Sequence, residues 1–197
     1  MGITRIELVR LGHSESWDDF PVERMLSYDA ILTWCDSGYS TYAKPLGDSL
    51  ATVMDRGGAV VIATFATNSN DNGLQGRFIE EGYSALQLGK QIDGTNLRLG
   101  KTHLDPTHPL LFKVERFEGG GDSFRSNVKL QEGAVLAAEW DDGIPLIAYK
   151  QCGAGCNVML NYFPPDSTAD NRCWDSDTDG WQMLVNALLF AMSSRTR

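Results

Sequence analysis

Asp29-Ala-Ile-Leu-Thr-Trp-Cys35, the spaced residues Leu46, Leu50, Val53 and Met54, and Ala59-Val-Val-Ile-Ala-Thr-Phe65 are the stretch whose reading decides the fold. The first run is short, apolar and rich in strand formers, and the turn signal Asp36-Ser37-Gly38 closes it. The four spaced residues recur at i, i+4, i+7 and i+8, which places one apolar stripe on a helix opened near Pro45 and stopped at Gly57-Gly58. The third run is a continuous apolar strand. Two such strands joined by a helix make a right-handed parallel crossover, the nucleus of an α/β sheet. Sites in such sheets lie beyond the carboxyl ends of the strands. That directs attention to 35–39 and 64–68, with Asp36, Ser37, Thr67 and Asn68 as candidate ligand-binding residues.

Working outward, Ile3-Thr-Arg-Ile-Glu-Leu-Val-Arg-Leu11 alternates apolar and polar residues and predicts a strand near a sheet edge. Phe20 to Leu26 predicts a helical turn or two, and Leu74 to Tyr83 a short helix. Between 84 and 133 the pattern is weak: Leu97 and Leu99 suggest a strand, His108-Pro109 a turn into a brief helix, and Gly119-Gly-Gly121 a flexible loop. Asp141-Asp-Gly-Ile144 separates the runs 134–140 and 145–149 as a hairpin. Cys156 to Phe163 is a further strand ending at Pro164-Pro165, with Asn161 another candidate ligand-binding residue at its end. From Asp179 to Ser193 runs a helix apolar nearly all round, which predicts that it packs beneath other elements.

The 197 residues suit a single domain spanning 1–197, since one core serves up to roughly 250 residues. With 17 Lys and Arg against 26 Asp and Glu, the net charge of −9 and the lack of a basic cluster argue against a nucleic-acid partner. No run reaches the roughly 18 apolar residues of a membrane span, and no signal-peptide pattern opens the chain. A soluble, unexported protein of otherwise unassigned compartment is expected. Cys35 reads as a buried thiol. Cys152 and Cys156 flank a tight Gly-Ala-Gly turn, which allows free thiols or a disulfide but lacks the spacing of a zinc site.

The order of further landmarks resembles the class I glutamine amidotransferase-like superfamily, especially its ThuA-like (trehalose-utilisation) and uncharacterised relatives. The landmarks are Tyr28-Asp29-Ala30, Leu46-Gly47-Asp48, Asp55 to Val61, His108-Pro109-Leu110, Asp142-Gly143, Asn161-Tyr-Phe-Pro164, Asp179-Gly180 and Asn186-Ala187-Leu188, spanning residues 22 to 192. The resemblance implies a flavodoxin-like three-layer sandwich, with a mostly parallel sheet plus the hairpin. It also implies a first strand and helix upstream of Ile3, which this chain lacks. In active relatives the nucleophilic Cys sits at a Gly-rich elbow after the strand matching 59–65. Here that position reads Thr64-Phe65-Ala66-Thr67-Asn68, with neither Cys nor elbow glycines.

Asp175-Ser-Asp177-Thr-Asp179-Gly180 has the spacing of the first half of an EF-hand loop, which would recruit calcium through Asp175, Asp177 and Asp179. The twelfth position is Asn186 rather than Glu. The plainer reading is a helix start capped by Asp177 or Thr178. A triad of Cys35, His108 and Asp36 is chemically conceivable, but nothing local joins its members. Together these residues point to a non-catalytic binding or assembly module whose 3–11 edge is covered by a protein partner or by an upstream segment of a longer chain, with no cofactor other than the calcium reading. The alternative is a hydrolase or carbohydrate-processing enzyme using the loops 35–39, 64–68 and 161–175.

Overall fold

A computed structural model describes residues 2–11, 20–36, 38–70 and 72–195. In chain order the elements are α1 (Val22–Met25), β1 (Ile31–Thr33), α2 (Ala43–Asp55), β2 (Ala59–Ala63), α3 (Arg77–Glu80), β3 (Leu86–Gln87), β4 (Gln91–Ile92), β5 (Leu99–Thr102), β6 (Arg125–Ser126), β7 (Lys129–Leu130), β8 (Val135–Trp140), β9 (Pro145–Cys152), β10 (Gly155–Leu160) and α4 (Gly180–Ser193). The main sheet has six strands in the order β1-β2-β10-β9-β8-β5.

The crossover read from the sequence is present. β1 and β2 pair in parallel, with Ile31 beside Val60 and Thr33 beside Ile62, and α2 connects them. Pro45 sits in the first turn of α2, where its missing N–H would have had no partner within the helix. At the other end Gly57 adopts φ +77°, its N–H donates to Met54 and that of Gly58 to Val53, so the last carbonyls are satisfied before β2 begins. β10 lies parallel to β2 on its other side, and β9, β8 and β5 follow antiparallel to their neighbours. Four of the six strands therefore run one way, and the turn at 141–144 joins β8 and β9 as the expected hairpin.

Every residue of β2 and β10 is buried, because both faces of the sheet are covered. One face gathers Val60, Ile62, Met159 and Ala148 with Leu46, Leu50 and Met54 of α2. The other gathers Ala59, Val61, Val158 and Leu160 with Met183, Ala187 and Phe190 of α4. Burying each such leucine or methionine contributes about 2 kcal/mol. On the α2 face, two small antiparallel pairs, β3 with β7 and β4 with β6, bring the weakly patterned 84–133 region onto the body.

Four expectations need correction. Residues 3–10 form no strand, because no described segment pairs with their backbone. Their alternation survives nonetheless: Glu7, Val9 and Leu11 face the body while Ile6 and Leu8 face outward. The glycine run at 119–121 is packed rather than loose, since a Cβ on Gly120, which has φ +76°, would come within 1.7 Å of the Cys173 carbonyl oxygen. His108 enters a turn and no helix follows. α4 buries most of its surface but leaves Trp181 and Val185 exposed. The hairpin also settles the cysteine pair: Cys152 lies opposite Gly155 and Cys156 opposite Gln151, so the two thiols point to opposite faces and both are free.

Candidate functional site

The carboxyl ends of β2 and β10 converge on a set of buried polar side chains: Thr64, Thr67, Asn68, Ser126 and Asn161. Thr64 and Asn161 follow β2 and β10 directly. Thr67 and Asn68 are held by the turn after β2, where the Asn68 N–H donates to the Phe65 carbonyl and the Gly89 N–H to the Thr67 carbonyl. Ser126 arrives from the distant strand β6.

Asn161 organises the set. Its Oδ1 accepts the Ser126 N–H at 2.9 Å, and its Nδ2 donates to the carbonyls of Ser126 and Pro145, each at 2.9 Å. Trp140 Nε1 donates to the Asn161 carbonyl at 3.1 Å. Each hydroxyl owns a single proton, which fixes two of the three directions. Ser126 Oγ donates to Asn68 Oδ1 at 2.6 Å, so Thr67 Oγ1 donates to Ser126 Oγ at 2.9 Å, and Thr64 Oγ1 has two acceptors in reach, Thr67 Oγ1 at 3.3 Å and Asn161 Oδ1 at 3.4 Å. The crevice in which an α/β sheet would receive a ligand is thus filled by the protein's own chain.

Beside Ser126, the guanidinium of Arg125 is 5 % exposed. Asp142 Oδ2 lies 2.8 Å from its Nη1 but off the N–H axis, so that neither Nη1 nor Nε has an aligned acceptor among the described residues. Next to the crevice, Phe117, Phe124, Trp140, Tyr162, Phe163 and Trp174 surround a void of about 10 Å³, room for about one water. A larger cleft of about 380 Å³ opens at the opposite end of the sheet, between Asp55, Tyr83, Lys150 and Cys152.

Of the residues singled out in the sequence, Thr67, Asn68 and Asn161 are brought together. Asp36 is exposed and joins none of their hydrogen bonds, and Ser37 lies outside the described residues. Cys35 is buried, its thiol donating weakly to the Asn72 carbonyl, and burial pushes its pKa up to about 11. It belongs to the α2 face of the core, whereas His108 stacks against Tyr149 and Phe190 on the α4 face. A Cys35–His108–Asp36 triad is therefore not assembled.

Two of the three carboxylates of the calcium reading are engaged with separate partners. Asp179 spends one carboxylate oxygen on the N–H groups of Glu115 and Arg116, at 2.7 and 2.8 Å, while its own N–H donates to the Arg116 carbonyl. Asp175 closes a local turn on the Asp177 N–H and faces Arg116, and Asp177 is exposed. No group of three His, Cys, Asp or Glu is gathered for a metal among the described residues. Nor do Asp177 and Thr178 cap α4: the N-cap position is Asp179, without a side-chain cap bond, and Thr178 Oγ1 donates to the Asp175 carbonyl.

Ser126 and Arg125 carry no signal in the sequence, because β6 is too short to leave a periodic trace. Thr64 opens the 64–68 stretch that the strand-end rule points to, without being singled out as a ligand-binding residue.

No family model and no curated protein matches this sequence. Solved structures do resemble it. A cytoplasmic protein from Salmonella typhimurium LT2 aligns over 86% of this chain and 74% of its own, with TM-score 0.65 and 13% identity. A ThuA-like protein from Bacteroides uniformis aligns over 91% of this chain and 74% of its own, with TM-score 0.51 and 12% identity. A β-galactosidase from Rahnella sp. R3 aligns over 85% of this chain but only 22% of its own, with TM-score 0.52 and 15% identity. At such identities the likeness is one of fold. No helix of the described residues is long and apolar enough to cross a membrane.

Proposed function

We propose that this protein is a non-catalytic relative of the ThuA-like, glutamine amidotransferase-like domains, working as a binding or assembly module. Its layers, α2 on one face of the sheet and α4 on the other, are read as a single flavodoxin-like domain. The observation that carries the proposal is the occupation of the carboxyl-edge crevice by Ser126, whose N–H, carbonyl and hydroxyl are all engaged there. Supporting it, the elbow position after β2 offers Thr64 and Phe65 in place of a thiol, and Cys35 stays a neutral thiol near physiological pH. Thr67, Asn68 and Asn161 then serve to hold the chain's own backbone, and the protein partner engages the outward side of residues 3–11.

The carbohydrate-processing alternative draws on the likeness to a β-galactosidase. Glycoside hydrolysis needs two facing carboxyl groups. The five side chains that fill the crevice include no carboxylate. A coupled assay of ammonia release from glutamine tests the proposal: no turnover is expected, and release that Cys35→Ala abolishes would establish an enzyme instead.

A further inference from the structure

The Arg125 side chain is 5% exposed, and its Nε and Nη1 are buried without an aligned acceptor among the described residues. A guanidinium carries five N–H donors, and a buried charge is stable only when it is paired and hydrogen-bonded. Arg125 and Ser126 are consecutive in β6, so their side chains leave the strand on opposite sides. Ser126 Oγ faces Asn68, whereas Arg125 turns to the hairpin at 141–144 and to the loop at Gly94. The unmet donors therefore lie apart from the filled crevice.

Two neighbours shape the site. Gly94 closes along one edge of the guanidinium: a Cβ there would stand 3.0 Å from Nη2, 3.1 Å from Nε and 2.7 Å from Leu97 Cδ1, so carbon atoms cover that side. Asp142 supplies the countercharge at the other, with Oδ2 2.8 Å from Nη1. It supplies charge without a hydrogen bond, because its Oδ1 accepts the Ile144 N–H at 3.2 Å and a carboxylate tied into its own turn does not swing onto the Nη1 N–H axis. Guanidinium–carboxylate pairs are strong when two parallel N–H···O bonds form, a geometry open to an untethered carboxylate. The Asp142 side chain is 34% exposed at the hairpin tip, so it has solvent to turn into.

We propose that Arg125 is a receptor for the carboxylate of a small organic acid, which takes the place of Asp142 on the guanidinium. Exchanging one carboxylate for another leaves the charge of the buried site unchanged, and the incoming head group fills the volume that the outgoing one leaves. Binding is driven by the aligned pair of hydrogen bonds that Asp142 does not make. Asp93 and Asp141, the sequence neighbours of Gly94 and Asp142, are exposed and oppose a second negative charge, which favours a monocarboxylate over a phosphate. The proposal goes beyond the assembly-module reading and does not depend on it.

The test titrates the full chain with sodium acetate, against sodium chloride at equal ionic strength, and follows the backbone amide resonances of Gly94, Gly143 and Ile144. A saturable response to acetate alone is expected, with Kd on the order of 1 mM for so small a ligand, and the Ile144 amide should shift as Asp142 leaves it. Asp142→Ala should tighten binding at least tenfold by removing the competitor, and Asp142→Asn serves the same purpose with the turn kept. Arg125→Met should abolish the response, and Arg125→Lys, which keeps the charge without the fork, should weaken it at least tenfold. A tripeptide with a free terminal carboxylate should bind no more tightly than acetate, and tighter binding would overturn the small acid as the source. An equal response to chloride, an affinity unchanged by both Asp142 variants, or a response that survives Arg125→Met would each overturn the receptor itself.

Discussion

Asn161 holds Ser126 by its main chain, accepting the N–H and donating to the carbonyl, each at 2.9 Å, in a site where neither residue is exposed. A side-chain amide that closes a ring on the N–H and C=O of one residue makes the interaction a strand partner would make. It joins the end of β10 to β6, two elements separated by 35 residues. Removing it strands buried groups that water cannot reach, each worth about 1–3 kcal/mol. Asn161→Ala should therefore lower unfolding free energy by about 3 kcal/mol or more in urea denaturation. A loss below about 1 kcal/mol would mean that the pairing holds nothing together.

Asp179 ties the start of α4 to the 115–116 segment through two N–H groups. Asp179→Ala should destabilise by about 1–2 kcal/mol, the range of charge-assisted hydrogen bonds discounted for partial exposure. Because that carboxylate is already committed, calcium at millimolar concentration should leave the melting temperature of the unmodified protein unchanged. A rise of several degrees that Asp177→Ala removes would restore the cation reading.

His108 stacks on Tyr149 and lies tilted against Phe190, and burial holds its pKa below the ordinary value of about 6.5. Its Nδ1 accepts the Leu110 N–H, which requires the neutral ring. The unfolded chain binds the proton more readily, so this contribution to stability is fully present above pH about 6.5. It is lost as pH falls through the lower folded value. His108→Phe should flatten the stability profile between pH 7 and 5 relative to the unmodified protein, as followed by urea midpoints. Identical slopes would show that the ring does not report on folding.

Cys152 is the half-exposed thiol, lining the cleft beside Lys150, while Cys35, Cys156 and Cys173 are buried. Burial raises all four pKa values, those of Cys35, Cys156 and Cys173 to about 11. With an aromatic disulfide reagent at pH 8, one thiol should react in the native protein and the other three only on unfolding. Loss of two thiols together on oxidation, with Cys152 and Cys156 joined, would contradict their placement on opposite faces.

What the sequence disclosed follows from how each element is stabilised. Ala59 to Ala63 is legible because a strand covered on both faces must be apolar throughout, and α2 because its stripe recurs at helical spacing between a proline and two glycines. The hairpin at 141–144 carries its own turn chemistry. Residues 3–10 alternate as a strand does, yet a strand exists only through its partner, and the alternation reports only which side chains face the body. The strands β3, β4, β6 and β7 are two residues long and leave no periodic trace. The candidate site was half legible: Thr67, Asn68 and Asn161 follow from the rule about strand ends. Ser126 does not, because an asparagine that binds a backbone places no demand on the side chain it binds. Asp175 to Asp179 shows the converse, a spacing that matches a cation loop while the carboxylates are drawn to separate partners.

Hydrogen exchange at the Ser126 amide tests the central claim most directly. A crevice filled by its own chain predicts that this amide, buried and bonded to Asn161, exchanges only with global unfolding, as slowly as the amides of β2 and β10. Exchange several orders of magnitude faster than those strands would contradict it, showing a crevice that opens in the native protein and stands ready for a ligand.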